Sequence, residues 1–193
     1  MPGAELRLAG LLVRRLAHDL SGPLSALSTL AGLGEPDPLQ AEATARLALR
    51  LDLLRTLFAG LPDAPLDCAH AVALLRQEAG ARVRLEAQLA ADATPASARA
   101  ALALAIDLLP MLADGAAMRV AATGAGALEV AAGPLRAPPP PAWAEAAAMR
   151  AGSIDWLARL EPALVPTAIA ALLAGPLAIR ADEGEVRVSG GSG

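Results

Sequence analysis

The sequence predicts an α+β protein in which an N-terminal helical hairpin, residues 1–63, forms a four-helix bundle by dimerisation. An α/β sandwich follows over residues 64–193. In the first sixty residues, apolar side chains recur at alternating spacings of three and four, which is the period of helices that pack along a seam. Beyond residue 63, helical stretches alternate with segments in which every second residue is apolar. Segments of both kinds in one region predict helices packed on a sheet.

Two helices make up the predicted hairpin. The seam of the first helix consists of Leu6, Ala9, Val13, Leu16, Leu20, Pro23, Leu27 and Leu30. The second helix begins at Pro38 with Asp37 as its N-cap, and it ends at Gly60 and Pro62. The link Gly32–Pro36 is short, so the helices are expected to be antiparallel. Both apolar stripes are wider than a single seam, which predicts pairing with a second hairpin and therefore a homodimer.

The second region contains helices and strands in alternation. The predicted elements are a helix to about Ala79 that is capped by Leu66-Asp67, a strand from Ala81 to Leu89, a helix from Pro95 to Leu112, a hairpin over 118–132, a helix over 143–149, a helix over 167–173, and a final hairpin over 177–189. A Pro-rich loop, "RAPPPPAW", follows the first hairpin. These elements predict a mixed or antiparallel sheet covered by helices.

Composition excludes several classes of function. The formal net charge is −4, so the chain offers no basic field for nucleic acid or an anionic membrane. One cysteine and two histidines argue against a zinc site, and we expect Cys68 and His70 to be packing residues. The longest apolar run, Ala163 to Ile179, is interrupted by proline and is shorter than a membrane-spanning helix. The sequence therefore predicts a cytoplasmic protein with no membrane partner.

The candidate site lies in the first helix, in the stretch "RLAHDLSGPL". His18 falls on the helix face opposite the seam and is followed directly by Asp19. Its neighbours three and four positions away are Arg14, Arg15, Ser21 and Gly22. The imidazole is thus expected in water on a low polar surface, and Pro23 predicts a bend close to it. A lone histidine on a helix is most often only a solvated residue, and that alternative stays open.

This pattern resembles the H-box of two-component histidine kinases and, more closely, the ChpT-type histidine phosphotransferase family. In that family a degenerate kinase ATP-binding domain follows the hairpin, and the resemblance extends over nearly the whole chain. It implies that His18, with Asp19 as its catalytic partner, accepts a phosphoryl group from the receiver domain of a hybrid histidine kinase and passes it to response regulators. The residues expected to contact the receiver are Leu11, Arg14, Arg15, Ser21, Gly22 and Ser25.

Departures from a working kinase imply that nucleotide binding is lost. The chain contains no Asn, the residue type that holds magnesium in the kinases, and Asp107 is the only polar candidate in the corresponding helix. The adenine-binding Asp is missing from "VAAGPLRAP", where Gly133 remains, and no Gly-rich lid follows. The resemblance therefore implies a phosphotransferase with no cofactor, no nucleotide and no ATP-dependent kinase activity, with Mg²⁺ only in the partner receiver. A divergent histidine kinase core and a non-catalytic dimeric scaffold remain alternatives.

Overall fold

The computed structural model describes Leu20 and residues 38–58, 64–147, 164–175, 177–182 and 184–191. The elements are α1 (Pro38–Phe58), α2 (Cys68–Ala79), β1 (Val83–Leu89), α3 (Pro95–Leu108), β2 (Leu112–Ala122), β3 (Leu128–Leu135), α4 (Pro141–Ala147), α5 (Val165–Ala174), β4 (Ala178–Asp182) and β5 (Glu185–Gly190). This order confirms the α+β class. Apart from Leu20, the predicted first helix and its link to α1 lie outside the described residues.

A five-stranded mixed sheet forms one layer of the fold. The strand order is β1-β2-β3-β5-β4. Strands β1 and β2 are parallel, whereas the other neighbouring pairs are antiparallel. A parallel pair requires a crossover connection, and α3 provides it between β1 and β2. The turn between β2 and β3 contains Gly126 at φ 76°, a backbone conformation that glycine adopts without strain.

Helix α3 is the centre of the second layer. Thr94 caps its N-terminus by accepting a hydrogen bond from the Ser97 amide at 3.1 Å, and Pro95 occupies the first turn. Every residue from 97 to 108 is buried, so the helix is covered on all sides. Alanine fills many of these positions because neighbouring elements approach the helix closely.

Several element boundaries differ from those predicted, and the two largest differences are at the end of α3 and the start of β2. Helix α3 ends at Leu108, before the predicted Leu112, because Pro110 lies in a short 3₁₀ turn that stops the α-helix. Strand β2 begins at Leu112, before the predicted Met118. Its register against β3 shifts between Leu112 and Ala117, where Gly115 has a φ of 81°. Strict alternation is broken there, which is why the pattern missed the start of the strand.

Helix α1 is joined to the core of the sheet region. Its buried residues are Leu53, Leu54, Leu57 and Phe58, and they belong to the same apolar cluster as α2, α3 and the sheet. Arg50 also pairs with Glu78 of α2 at 2.7 Å. Leu39 and Leu51 are 60% and 37% exposed. The C-terminal part of the apolar stripe of α1 therefore packs in the core of this chain. Leu39 and Leu51 remain exposed and could pack in the predicted bundle.

Among the helices of the described ranges, none combines the length and apolarity needed to cross a membrane.

Candidate functional site

The residues predicted to carry the chemistry are not within the described ranges. Outside them lie His18, Asp19, Leu11, Arg14, Arg15, Ser21, Gly22 and Ser25. Within that stretch the structure describes Leu20 alone, as helical and half-buried. The roles expected for these residues stay predictions, and the geometry on which the site can be discussed is that of the α+β region.

A buried chain of hydrogen bonds links three helices of that region. The Trp143 indole N–H, on α4, donates to Thr167 Oγ1 on α5 at 2.7 Å. The Thr167 hydroxyl then donates to Asp107 Oδ2 on α3 at 2.6 Å. Trp143 and Thr167 are fully buried, and Asp107 is 4% exposed. The directions are fixed because an indole nitrogen can only donate and a hydroxyl can do both.

Asp107 also caps the helix that carries Thr167. Its Oδ2 accepts a second hydrogen bond, from the Thr167 backbone amide, at 2.8 Å. That amide lies in the first turn of α5, whose own N-cap residue, Leu164, supplies no side-chain bond. A carboxylate at this end of a helix satisfies an unpaired N–H and interacts favourably with the helix dipole. The carboxylate predicted as the only candidate magnesium ligand is thus engaged with α5.

A buried arginine holds the junction between α1 and α2. Arg99, in the middle of α3, is fully buried. Its Nε donates to the carbonyl of Leu57 in the last turn of α1 at 2.9 Å, and its Nη2 donates to the carbonyl of Pro65 at 3.4 Å. Burial lowers the pKa of Arg99 from its usual value. The guanidinium satisfies carbonyls on both sides of the connection between the predicted hairpin and the sheet region.

Cys68 and His70 begin α2, next to this junction. Burial raises the pKa of the Cys68 thiol, Asp67 raises it further, and Arg99 lowers it. A raised pKa keeps the thiol protonated at neutral pH, which agrees with a packing role. For His70 the packing prediction is wrong: its side chain is 49% exposed, with Nε2 3.5 Å from Asp52 Oδ2 of α1. It is exposed because the first turn of α2, which Asp67 caps by accepting from the His70 amide, lies at the surface beside α1.

Gly133, which remains from the kinase motif, lies where strands β3 and β5 pass close to each other, and this explains why a glycine stands there. A Cβ built on it would lie 2.8 Å from Cγ of Glu185 and 3.3 Å from Cα of the same residue. Strands β3 and β5 pass so close here that a larger residue would require the Glu185 side chain and its backbone to shift. In the described ranges, no three side chains of His, Cys, Asp or Glu are grouped so that they could hold a metal ion.

Sequence reasoning missed Thr167 and Arg99. Thr167 is the single polar residue of α5, "VPTAIAALLA". Arg99 is one of three polar residues of α3, "PASARAALALAIDL", with Ser97 and Asp107. A lone polar side chain in a helix that is apolar all round must find a buried partner. That signal was present in the sequence, although it does not say which partner is used.

Comparison with known proteins gives the fold. No protein-family model and no curated protein matches the sequence. Among solved structures, one described as a bacterial phosphotransferase matches with a TM-score of 0.68 at 17% identity, covering 95% of this chain and 95% of that chain. A histidine kinase domain of a blue-light activated histidine kinase from Erythrobacter litoralis gives 0.43 at 14% identity, covering 97% and 91%. A histidine kinase from Burkholderia phymatum gives 0.40 at 18%, covering 98% and 97%.

The first of these matches shows that this chain has a fold similar to that of a structure described as a bacterial phosphotransferase. The fold implied by the resemblance is therefore confirmed.

Proposed function

We propose that this protein is a histidine phosphotransferase of a phosphorelay, and that it works as a cytoplasmic homodimer. His18 takes a phosphoryl group from an aspartate in the receiver domain of a hybrid histidine kinase and passes it to response regulators. The observation that carries the proposal is the match over 95% of both chains to a bacterial phosphotransferase, in a chain whose first helix contains "RLAHDLSGPL".

The proposed step exchanges one phosphorus bond for another. The neutral imidazole of His18 attacks the phosphorus of the aspartyl phosphate, the P–N bond forms as the P–O bond breaks, and the receiver aspartate leaves as a carboxylate. An unperturbed imidazole has a pKa near 6.5, so most of it is neutral in the cytoplasm. Asp19 accepts a hydrogen bond from the other ring nitrogen and supports the charge that develops on the ring. Transfer to the second receiver is the reverse step.

The proposed reaction uses no nucleotide and no metal of its own; Mg²⁺ belongs to the receiver. Two observations support this. Asp107, the only residue of its helix suited to a metal, is buried and accepts two hydrogen bonds from Thr167. Glu185 lies over Gly133, the only part of the nucleotide motif that the chain retains.

The proposed contact surface for receivers consists of Leu11, Arg14, Arg15, Ser21, Gly22 and Ser25. We propose that its two arginines interact with an acidic face of the receiver.

Phosphotransfer from a purified receiver tests the proposal. The receiver is phosphorylated by its kinase, separated from ATP, and mixed with this protein. We expect rapid labelling of the wild type and none of His18→Gln. His70→Gln is the matched control, because His70 is a half-exposed histidine beside the carboxylate of Asp52, and it should be labelled normally. Asp19→Asn should be labelled more slowly, since the nucleophile remains while its hydrogen-bond partner is weakened.

A parallel incubation with ATP and Mg²⁺ alone separates the alternatives. The proposal expects no labelling there, and labelling of His18 from ATP would indicate a divergent kinase core instead. If receivers from a wide panel all fail to label the protein, the proposal is wrong and a non-catalytic scaffold is favoured. Labelling that persists in His18→Gln would move the phosphorylated residue elsewhere.

A further inference from the structure

The uncovered face of the sheet carries charges in two ordered rows. One face of the sheet packs on the helices through side chains such as Met118, Val130 and Val188, which are buried. On the opposite face, the first row crosses the strands as Arg84, Ala117, Gly133, Glu185 and Asp182. The second row, two residues further along each strand, is Glu86, Arg119, Ala131, Arg187 and Arg180. The charged members of both rows are exposed.

At one end of these rows, like charges stand directly opposite each other. Arg180 is paired in register with Arg187, and Asp182 with Glu185. Like charges at directly opposed positions destabilise a sheet. Within the described parts of the chain, none of these four side chains forms an ion pair. These four charges therefore have no ion-pair partner within the described chain, and they are free to pair with charges of another molecule.

The two rows are complementary to each other. At the β5 and β4 positions the first row is negative and the second positive, and at β1 the first row is positive (Arg84) and the second negative (Glu86). Consider a second copy placed face to face with the first and related to it by a two-fold axis that runs parallel to the rows, midway between them. The first row of one copy then lies over the second row of the other, and each strand lies over the same strand of the other copy. Every charge of β1, β4 and β5 therefore meets a charge of opposite sign.

We infer that this face binds a second copy of the same chain, face to face about a two-fold axis. Six ion pairs result: Glu185 meets Arg187, Asp182 meets Arg180, and Arg84 meets Glu86, each twice by symmetry. Such an isologous arrangement needs a self-complementary surface, and this pattern supplies one. A single acidic or basic partner would satisfy one row and be repelled by the other.

The middle of the face allows the two copies to approach. At β3 the rows contain Gly133 and Ala131, which face each other across the axis and have almost no side chain. An open cavity of about 450 Å³ lies beside them, lined in part by Arg180, Glu185 and Arg187. Five strands spaced about 4.8 Å apart, each about 20 Å long, give roughly 500 Å² of face per copy. That is below the about 800 Å² per partner of a standard stable interface, so the association is weak and sensitive to salt.

This inference is independent of the proposed phosphotransfer. The helices of the described ranges, including α1, belong to the apolar cluster on the other side of the sheet, and the charged rows are exposed. The proposed pairing therefore does not use the surface of the predicted bundle. The starting species is whichever oligomer the bundle gives. Because each copy carries one such face, a bundle dimer carries two and can grow further by pairing.

Sedimentation of the purified full-length protein over a wide concentration range tests the inference. At low ionic strength we expect reversible growth in mass with concentration, which salt suppresses. Arg187→Glu should weaken this association about tenfold or more, because each pairing then opposes like charges twice. Glu185→Arg should weaken it likewise. An equimolar mixture of the two variants should restore it, because each variant then carries the charges that the other lacks.

Controls keep the result specific to this face. Arg76→Glu makes the same change in net charge at an exposed position of α2 and should leave the association intact. Arg180→Glu and Asp182→Arg form a second complementary pair of variants, on the edge strand β4. They replace the first pair if circular dichroism shows that a variant in β5 does not fold. The inference is overturned if the wild type does not associate at low ionic strength, if neither mixture restores association, or if Arg76→Glu weakens it as much as Arg187→Glu.

Discussion

Replacement of Thr167 by valine should remove the link between three helices without changing the volume of the core. The hydroxyl of Thr167 lies 2.7 Å from Trp143 Nε1 and 2.6 Å from Asp107 Oδ2. A hydrogen bond to a charged group contributes about 1.5 to 3 kcal/mol, and a buried donor left unpaired costs about 1 to 3 kcal/mol. Together these predict a loss of roughly 3 to 5 kcal/mol in the free energy of unfolding, out of the 5 to 15 kcal/mol that is usual for a folded domain.

The measurement is equilibrium unfolding in guanidinium chloride, followed by circular dichroism at one fixed protein concentration, because self-association shifts apparent stability. Thr44→Val is the matched control: Thr44 lies on the exposed surface of α1, and its hydroxyl bonds only within its own helix, to the Gln40 carbonyl. It should change stability by no more than about 0.5 kcal/mol. Trp143→Phe should lower the free energy of unfolding less in the Thr167→Val background than in the wild type. In that background the indole N–H has already lost its acceptor, so its removal also removes the cost of a buried unpaired donor. A loss below about 1 kcal/mol for Thr167→Val, or equal costs of Trp143→Phe in both backgrounds, would refute the account of this network.

Three further changes have defined outcomes. Arg99→Met removes the donor to the carbonyls of Leu57 and Pro65, so it should lower the unfolding free energy by roughly 2 to 4 kcal/mol. It should also accelerate limited proteolysis between α1 and α2. Unchanged proteolysis would contradict the role of Arg99 in holding this junction. Leu57→Ala, at a fully buried position, should cost about 2 to 5 kcal/mol in the same unfolding assay, whereas Leu39→Ala, at a side chain 60% exposed, should be nearly neutral. Leu51→Glu, at a side chain 37% exposed, should abolish the bundle dimer in sedimentation at low concentration and leave the circular dichroism spectrum intact; a variant that remains dimeric would argue against the bundle.

Features set by neighbouring residues were predictable from the sequence. Asp67 was expected to cap the helix that begins at Cys68, and its side chain accepts the His70 amide at 2.9 Å. The alternation of "ARVRLEAQL" predicted a strand from Ala81 to Leu89, and β1 runs over Val83–Leu89, after a 3₁₀ turn at Gly80–Arg82. Capping and strand alternation depend on residues only a few positions apart, so they can be read directly from the order of residues.

Features that depend on distant parts of the chain were not predictable in the same way. Asp107 and Thr167 are sixty residues apart, and Arg99 reaches a carbonyl forty-two residues before it. The exposure of His70 depends on how α1 lies against α2, which composition does not determine. For the candidate site, the phase of the heptad places His18 on the outer helix face, and this stays a prediction because its residues lie outside the described ranges.

The complete enclosure of α3 has a consequence for amide hydrogen exchange. Every residue from 97 to 108 is buried, with other helices, β2 and β3 packed around the helix. No local fluctuation can expose these amides to water while the surrounding layers stay in place. Their exchange therefore requires global opening, and the rate at which they take up deuterium reports the unfolding equilibrium of the whole α+β region. The exposed turns of α1 near Leu39 should exchange by local fraying, so a single deuterium-uptake profile can separate loss of the hairpin from loss of the fold.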